Sequence, residues 1–147
     1  MRFQLVDRIL IYEAGKTVTG IKQISVEANN IVPFAPKSLI YPPTLCVEAL
    51  AQLGSLLVSA YFNFASIAVL GMISTLVLNE IIKTGSELII TASAQEISKE
   101  VAVVSGEISL ADKRVLSVER IVYGLIKLAD ESSQKDLEDL FNTLIRK

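Results

Sequence analysis

The sequence predicts an α+β fold in which one antiparallel sheet wraps around a single long buried helix. Three observations lead to this prediction: a long apolar run with helical spacing, a β-leaning hairpin before it, and three long β-leaning segments after it. One buried helix and one antiparallel sheet pack best when the sheet covers the helix. With 147 residues, the chain is long enough for one domain with a sizeable core.

The predicted central helix, residues 44–64, reads TLCVEALAQLGSLLVSAYFNF. In a helix, Glu48, Gln52, Ser55 and Ser59 fall on one face and form a polar seam along an apolar rod. Such a rod is buried either in a protein core or in a bilayer. Its length would span a membrane, but an ionisable group at mid-bilayer is costly, and the rest of the chain offers strands to cover it. We therefore expect a core helix and no membrane partner.

Before this helix, residues 3–13 and 17–26 are predicted as a β-hairpin. Residues 31–43 hold all four prolines of the chain and are predicted as a stiff, extended loop, because proline cannot donate to a strand ladder. Pro43 stands at the expected first position of the helix, where its missing N–H does no harm.

After the helix, residues 67–83 are predicted as a long strand bent near Gly71. Residues 87–98, 100–110 and 114–128 then follow as an antiparallel meander.

Residues 133–147 are predicted as an amphipathic helix that packs on the body of the same domain, with Ser133 and Asp136 as its capping signal. Five apolar side chains share one face: Leu137, Leu140, Phe141, Leu144 and Ile145. We expect residues 1–130 to form the domain core and residues 131–147 a C-terminal appendage.

Composition limits the partners and the compartment. Hydrophobic residues make up 51% of the chain and the mean hydropathy is +0.49, which predicts that a second subunit covers part of the surface. A net charge of -2 argues against a nucleic-acid partner. Cys46 is the only cysteine, and we expect it to be a small buried apolar side chain in a reducing compartment. The N-terminus lacks a signal-peptide pattern, so we expect a cytoplasmic protein.

The chain contains no histidine, which removes the commonest general base and the commonest metal ligand. One cysteine without histidine leaves no zinc site and no Cys-His or Ser-His pair. The seven glycines are scattered and form no phosphate-binding loop. We therefore expect neither a metal nor a cofactor.

The loop and helix together, PFAPKSLIYPPTLCVEALAQ, resemble the signature of the β-hydroxyacyl-[acyl carrier protein] dehydratases of the FabZ/FabA type. In that family a His-Phe-Pro loop leads through a Pro-Gly pair into a helix with Glu-Ala-x-Ala-Gln. The opening FQLVDRIL is similar to the family's first strand. The resemblance covers about residues 3–128. It implies a hotdog fold, a dimer with sites at the subunit interface, and an acyl thioester of acyl carrier protein or CoA as partner.

Two departures from the family pattern affect the chemistry. The family's catalytic histidine lies fourteen positions before the helix carboxylate, which is Phe34 here. Its carbonyl-polarising glycine N–H lies five positions before, which is Pro43 here, and proline has no N–H. A general base contributes ~10²–10⁴ in rate and an oxyanion donor ~10²–10³. We therefore expect no ordinary dehydratase activity from this chain alone.

Glu48 is then the only remaining candidate for a catalytic group, and two roles stay open for it. It could act as a base, as helix carboxylates do in hotdog thioesterases. It could instead be a structural group near a helix start, hydrogen-bonded at a subunit interface, where negative charge suits the dipole. By the resemblance, Phe34, Tyr41, Pro43 and Gln52 would line the substrate site. Phe34 and Tyr41 would plug the reacting region. We favour a role for Gln52 as a hydrogen-bonding residue of the polar seam over a role as an oxyanion donor.

Three functions follow from these observations. The first is an acyl-binding protein without dehydratase catalysis, either a homodimer or the inert half of a heterodimer with a histidine-bearing relative. The second is an acyl-CoA or acyl-carrier thioesterase with Glu48 as base. The third is a dehydratase with an unusual base. Whether the chain is an enzyme is left open at this point.

Overall fold

The structure is a computed structural model that describes residues 5–25, 32–35 and 38–146, with side chains described outside 32–35 and 38–39. Within these residues, the elements follow in this order: β1 (Arg8–Glu13), β2 (Thr17–Gln23), β3 (Val32–Ala35), β4 (Ser38–Tyr41), α1 (Pro43–Tyr61), β5 (Ser66–Leu78), β6 (Ile82–Lys83), β7 (Glu87–Ile97), β8 (Val101–Leu110), β9 (Lys113–Lys127) and α2 (Glu131–Arg146). The predicted α+β class, with one long helix on an antiparallel sheet and a C-terminal helix, is confirmed.

The main sheet has six strands in the order β1-β2-β7-β8-β9-β5, and every pair is antiparallel. The predicted meander of β7, β8 and β9 is confirmed. β5 follows α1 in the chain but joins the far edge of the sheet, beside β9. α1 thus carries the chain across the sheet and packs against β2, β5, β7 and β8. The bend predicted near Gly71 is a register shift between Leu70 and Met72.

The proline-rich stretch before α1 differs from the prediction. β3 and β4 pair with each other, with Pro33 opposite Leu39, and β4 also pairs with β6. The expectation of a loop without strands was wrong here. β3 is the edge of this small sheet, and an edge is the place where a strand tolerates proline. Pro43 does begin α1, as predicted.

α1 lies at the centre of the core. Leu50, Leu53 and Leu57 are fully buried, and burying a leucine contributes about 1.5–3 kcal/mol. The helix also approaches the sheet closely: a Cβ on Gly106 of β8 would overlap the Leu50 side chain. α1 is the one helix in the described part of the chain that is long and apolar enough to span a membrane, and the sheet buries it in the core.

α2 begins two residues earlier than predicted. The Asp130 carboxylate accepts a 2.6 Å hydrogen bond from the Ser133 N–H, so Asp130 caps the helix, and the prediction that Ser133 is the cap was wrong. The apolar face packs as expected at three positions, since Leu137, Phe141 and Leu144 are buried. Ile145 is the exception and stays exposed.

Candidate functional site

A cleft of about 260 Å³, which we call the α1 cleft, runs along the polar seam of the central helix. The α1 side chains that line it recur at helical spacing: Glu48, Ala51, Gln52, Ser55 and Leu56. The opposite walls come from β5, β9 and α2: Ile67, Ala68, Leu70, Tyr123, Leu137 and Leu140. The sequence pattern therefore predicted one wall of the cleft, and long-range packing supplies the others.

The second half of the polar seam fastens β5 to α1. The Ser55 hydroxyl donates to the Ala68 carbonyl at 2.6 Å, and the Ser59 hydroxyl accepts from the Ala68 N–H at 3.1 Å. Ser59 is fully buried, so its hydrogen bond offsets the cost of burying a hydroxyl. These two seam residues are structural: they hold the strand that forms the far wall of the cleft.

The first half of the seam holds the carboxylate. The Leu5 N–H donates to Gln52 Oε1 at 3.0 Å, and Gln52 Nε2 donates to Glu48 Oε1 at 3.4 Å. The amide orientation of Gln52 is therefore set by backbone outside α1, and its N–H group is directed at the carboxylate. Glu48 itself is exposed at the mouth of the cleft.

The expected dipole role of Glu48 does not hold. Glu48 is the sixth residue of α1, and the first turn of the helix carries no acidic side chain. The dipole effect falls off within that first turn. The helix dipole therefore does not explain why a carboxylate stands at position 48. What surrounds Glu48 is the lining of the cleft.

Tyr123 was not identified from the sequence. It is buried, and its hydroxyl donates to the Ala51 carbonyl at 2.7 Å. Burial and, secondarily, the Glu48 charge raise the pKa of Tyr123, so the phenol stays protonated and holds its hydrogen bond. The only local signal was Gly54: a glycine inside an apolar helix marks a close approach, and here a Cβ would overlap the Tyr123 hydroxyl.

The cleft within one subunit contains two of the residues predicted for a site at a subunit interface, and the rest of that prediction stays untested. Glu48 and Gln52 line the cleft, whereas Tyr41 is buried in β4 opposite Ile82, and Pro43 starts α1. Neither Tyr41 nor Pro43 is among the described residues that line the cleft. Phe34 belongs to β3, and its side chain lies outside the described residues.

Cys46 is buried as predicted, and burial raises the pKa of its thiol to about 12. A thiol with that pKa is a poor nucleophile at neutral pH. Within the described residues, no cluster of histidine, cysteine, aspartate or glutamate could hold a metal ion. The chemistry available in the cleft is that of one exposed carboxylate, one amide and an apolar wall.

Comparison with known proteins gives two kinds of similarity. No family model matches the chain. It is 47% identical over 53 residues to the 3-hydroxyacyl-[acyl-carrier-protein] dehydratase FabZ of a Geobacillus species. That match covers 36% of this chain and 37% of the relative, so the chain spans just over a third of the length of the curated protein it matches.

Two solved structures share the fold over most of their length. A Haemophilus influenzae thioesterase superposes with a TM-score of 0.67 at 15% identity, over 84% of this chain and 80% of that one. A Streptococcus mutans protein bound to acetyl-CoA superposes with a TM-score of 0.70 at 12% identity, over 86% of this chain and 94% of that one. The wrapped helix and these superpositions show the hotdog fold, and within it a segment of 53 residues is similar in sequence to FabZ.

Proposed function

We propose that the chain binds acyl thioesters in the α1 cleft and has no ordinary dehydratase activity on its own. The observation that carries this proposal is the mixed lining of the cleft, which combines a carboxylate and an amide with a mostly apolar surface of leucine, isoleucine and alanine side chains. An acyl thioester has the matching shape, with a polar head and an apolar chain. The partial similarity to FabZ and the shared fold with an acetyl-CoA-bound protein support this ligand class.

The lack of dehydratase activity follows from two positions. Dehydration needs a base with a pKa near neutrality and a donor for the carbonyl oxygen. This chain has no histidine, and Pro43 has no N–H to donate. If the two losses are independent, the rate falls by at least ~10⁴.

A dimer through β5 is part of the proposal. β5 is an edge of the main sheet, and it carries exposed apolar side chains along its length: Val69, Leu70, Met72, Leu76, Val77 and Leu78. A long, apolar edge strand is a template for pairing with another chain. A second copy of this chain, or a histidine-bearing relative, would cover it. We place this assembly in the cytoplasm.

A thioesterase activity is the second candidate, because Glu48 is exposed at the mouth of the cleft and Gln52 holds it in place. In that reaction, the Glu48 carboxylate takes a proton from a water molecule as the water attacks the thioester carbonyl. The C–S bond then breaks, the acid is released, and the thiolate leaving group takes the proton from the Glu48 carboxyl group, which restores the carboxylate.

The test uses the purified chain and three assays: binding of octanoyl-CoA, its hydrolysis, and dehydration of 3-hydroxyoctanoyl-CoA. We expect binding without dehydration. Hydrolysis that Glu48→Gln abolishes and Glu87→Gln preserves would establish the thioesterase, since Glu87 is an exposed glutamate on β7 outside the cleft. Dehydration by the wild-type chain would establish instead a dehydratase with an unusual base. Absence of octanoyl-CoA binding would refute the proposed function.

A further inference from the structure

We propose that α2 closes the inner end of the α1 cleft and limits the bound acyl group to about eight to ten carbons, with Leu140 as the specificity-determining residue. This inference rests on the acyl-thioester function proposed above and adds the ligand's chain length. It uses a helix that the FabZ-like resemblance, which ends near residue 128, does not include.

α2 is fixed at the C-terminal end of α1. Its Phe141 ring lies 5.5 Å from the ring of Phe64, just after α1, and 5.0 Å from the ring of Tyr12 on β1. Gln134 Nε2 also donates to the Leu128 carbonyl at 3.1 Å. These contacts hold α2 beside the C-terminal end of α1, the end of the helix that is away from Glu48.

The cleft changes from polar to apolar along α1. Glu48 is the first α1 residue that lines the cleft, and Leu56, eight residues further, is the last. Eight residues of helix span about 12 Å. Leu137 and Leu140 of α2 line the same cleft, so a chain that enters beside Glu48 ends against leucine side chains.

Two estimates of the capacity agree. An extended carbon chain advances about 1.25 Å per carbon, given C–C bonds of about 1.5 Å, so 12 Å accommodates about ten carbons. By volume, a cavity of about 150 Å³ holds the six carbons of benzene, or about 25 Å³ per carbon. The 260 Å³ of this cleft then holds about ten carbons. The open mouth takes part of that space, which gives about eight to ten.

Leu140 is the residue that can set this length without belonging to the core. Leu137, Phe141 and Leu144 are each buried to 5% exposure or less, whereas Leu140 is half-buried and lines the cleft. Shortening Leu140 therefore lengthens the cleft more than it empties the core. Leu144, on the same helix, is buried outside the cleft lining and offers a matched control.

The experiment measures the dissociation constants of straight-chain acyl-CoAs, from hexanoyl to palmitoyl, by calorimetry. For the wild type, we expect affinity to rise about fourfold per added carbon up to eight to ten carbons and to fall beyond. Leu140→Ala should move the optimum two to three carbons longer and tighten lauroyl-CoA binding about tenfold or more. Leu140→Phe should move it shorter, and Leu144→Ala should leave it in place despite lower stability.

The outcomes separate the two proposals. If acyl-CoAs bind but the optimum is the same in the wild type and both Leu140 variants, α2 does not end the cleft, and only this inference is overturned. An equal shift in Leu140→Ala and Leu144→Ala overturns it too, because the effect would then come from loosening α2. If no acyl-CoA of any length binds the wild type, the proposed function fails and this inference fails with it.

Discussion

The contact between Gly54 of α1 and Tyr123 of β9 should be the least tolerant packing point beside the cleft. A Cβ on Gly54 would overlap the Tyr123 hydroxyl, which cannot move without losing its 2.7 Å hydrogen bond to the Ala51 carbonyl. Overpacking of this kind costs about 1–3 kcal/mol. The helix propensity gained by replacing glycine with alanine, about 1 kcal/mol, offsets only part of that cost.

Removing the hydroxyl should relieve the overlap. Tyr123→Phe alone loses a buried hydrogen bond, which costs about 1 kcal/mol. In the Tyr123→Phe background, Gly54→Ala should be tolerated far better than in the wild type, because the atom that it would overlap is gone. The double-mutant cycle should therefore give a coupling energy of about 1–2 kcal/mol, well above the 0.3–0.5 kcal/mol scatter of independent sites.

The cycle is measured by urea unfolding at one fixed protein concentration, followed by circular dichroism. As a thermal check, each 1 kcal/mol should move Tm by about 2–4 °C in a chain of this length. If the stability losses of the two single variants add within about 0.5 kcal/mol, Gly54 and Tyr123 do not touch. The packing of Tyr123 against α1 in the wall of the cleft would then be wrong.

Three further predictions concern other parts of the molecule. Burial raises the pKa of the Cys46 thiol to about 12, so Cys46 should react with iodoacetamide at least ~10³-fold more slowly in the folded chain than in the urea-unfolded chain. Mass spectrometry follows the reaction, and equal rates would contradict the burial of Cys46. Because burial raises the pKa of Tyr123, only the unfolded chain loses the phenol proton above pH ~10, so the free energy of unfolding should fall as the pH rises beyond that point. The fall should be smaller in Tyr123→Phe, and an equal fall in both proteins would show that Tyr123 does not cause it. In gel filtration, the wild type should elute as a dimer and Met72→Lys on β5 as a monomer. Ile11 is similarly exposed at the opposite edge of the sheet, so Ile11→Lys should stay dimeric, and a monomeric wild type would contradict the β5 interface.

Much of the fold could be predicted because its signals are local. The apolar run around Glu48 shows helical spacing, Pro43 marks the helix start, and alternation with short turns predicts the meander. The pairing of β5 with β9 could not be predicted from local patterns, because nothing in the sequence of either strand indicates which strand it pairs with. Pro33 also misled the prediction, since its position at a sheet edge depends on the tertiary structure.

The candidate site was predicted only along one helix. Glu48 and Gln52 were found because they share a face of α1, and the cleft does bring them together. Tyr123 and Leu140 come from elements far away in the sequence, and nothing in their own neighbourhood indicates a shared cleft. The hydrogen bond from Leu5 to Gln52 has the same origin: it depends on where the N-terminal segment passes over α1.

The most direct test of the central claim is a turnover assay with 3-hydroxyoctanoyl-CoA on the wild type beside Phe34→His/Pro43→Gly. We predict no dehydration by the wild type and measurable dehydration by the double variant, because the variant regains a base and an amide donor. Dehydration by the wild type that Glu48→Gln abolishes would contradict the account, since the chain would then catalyse the reaction without either group.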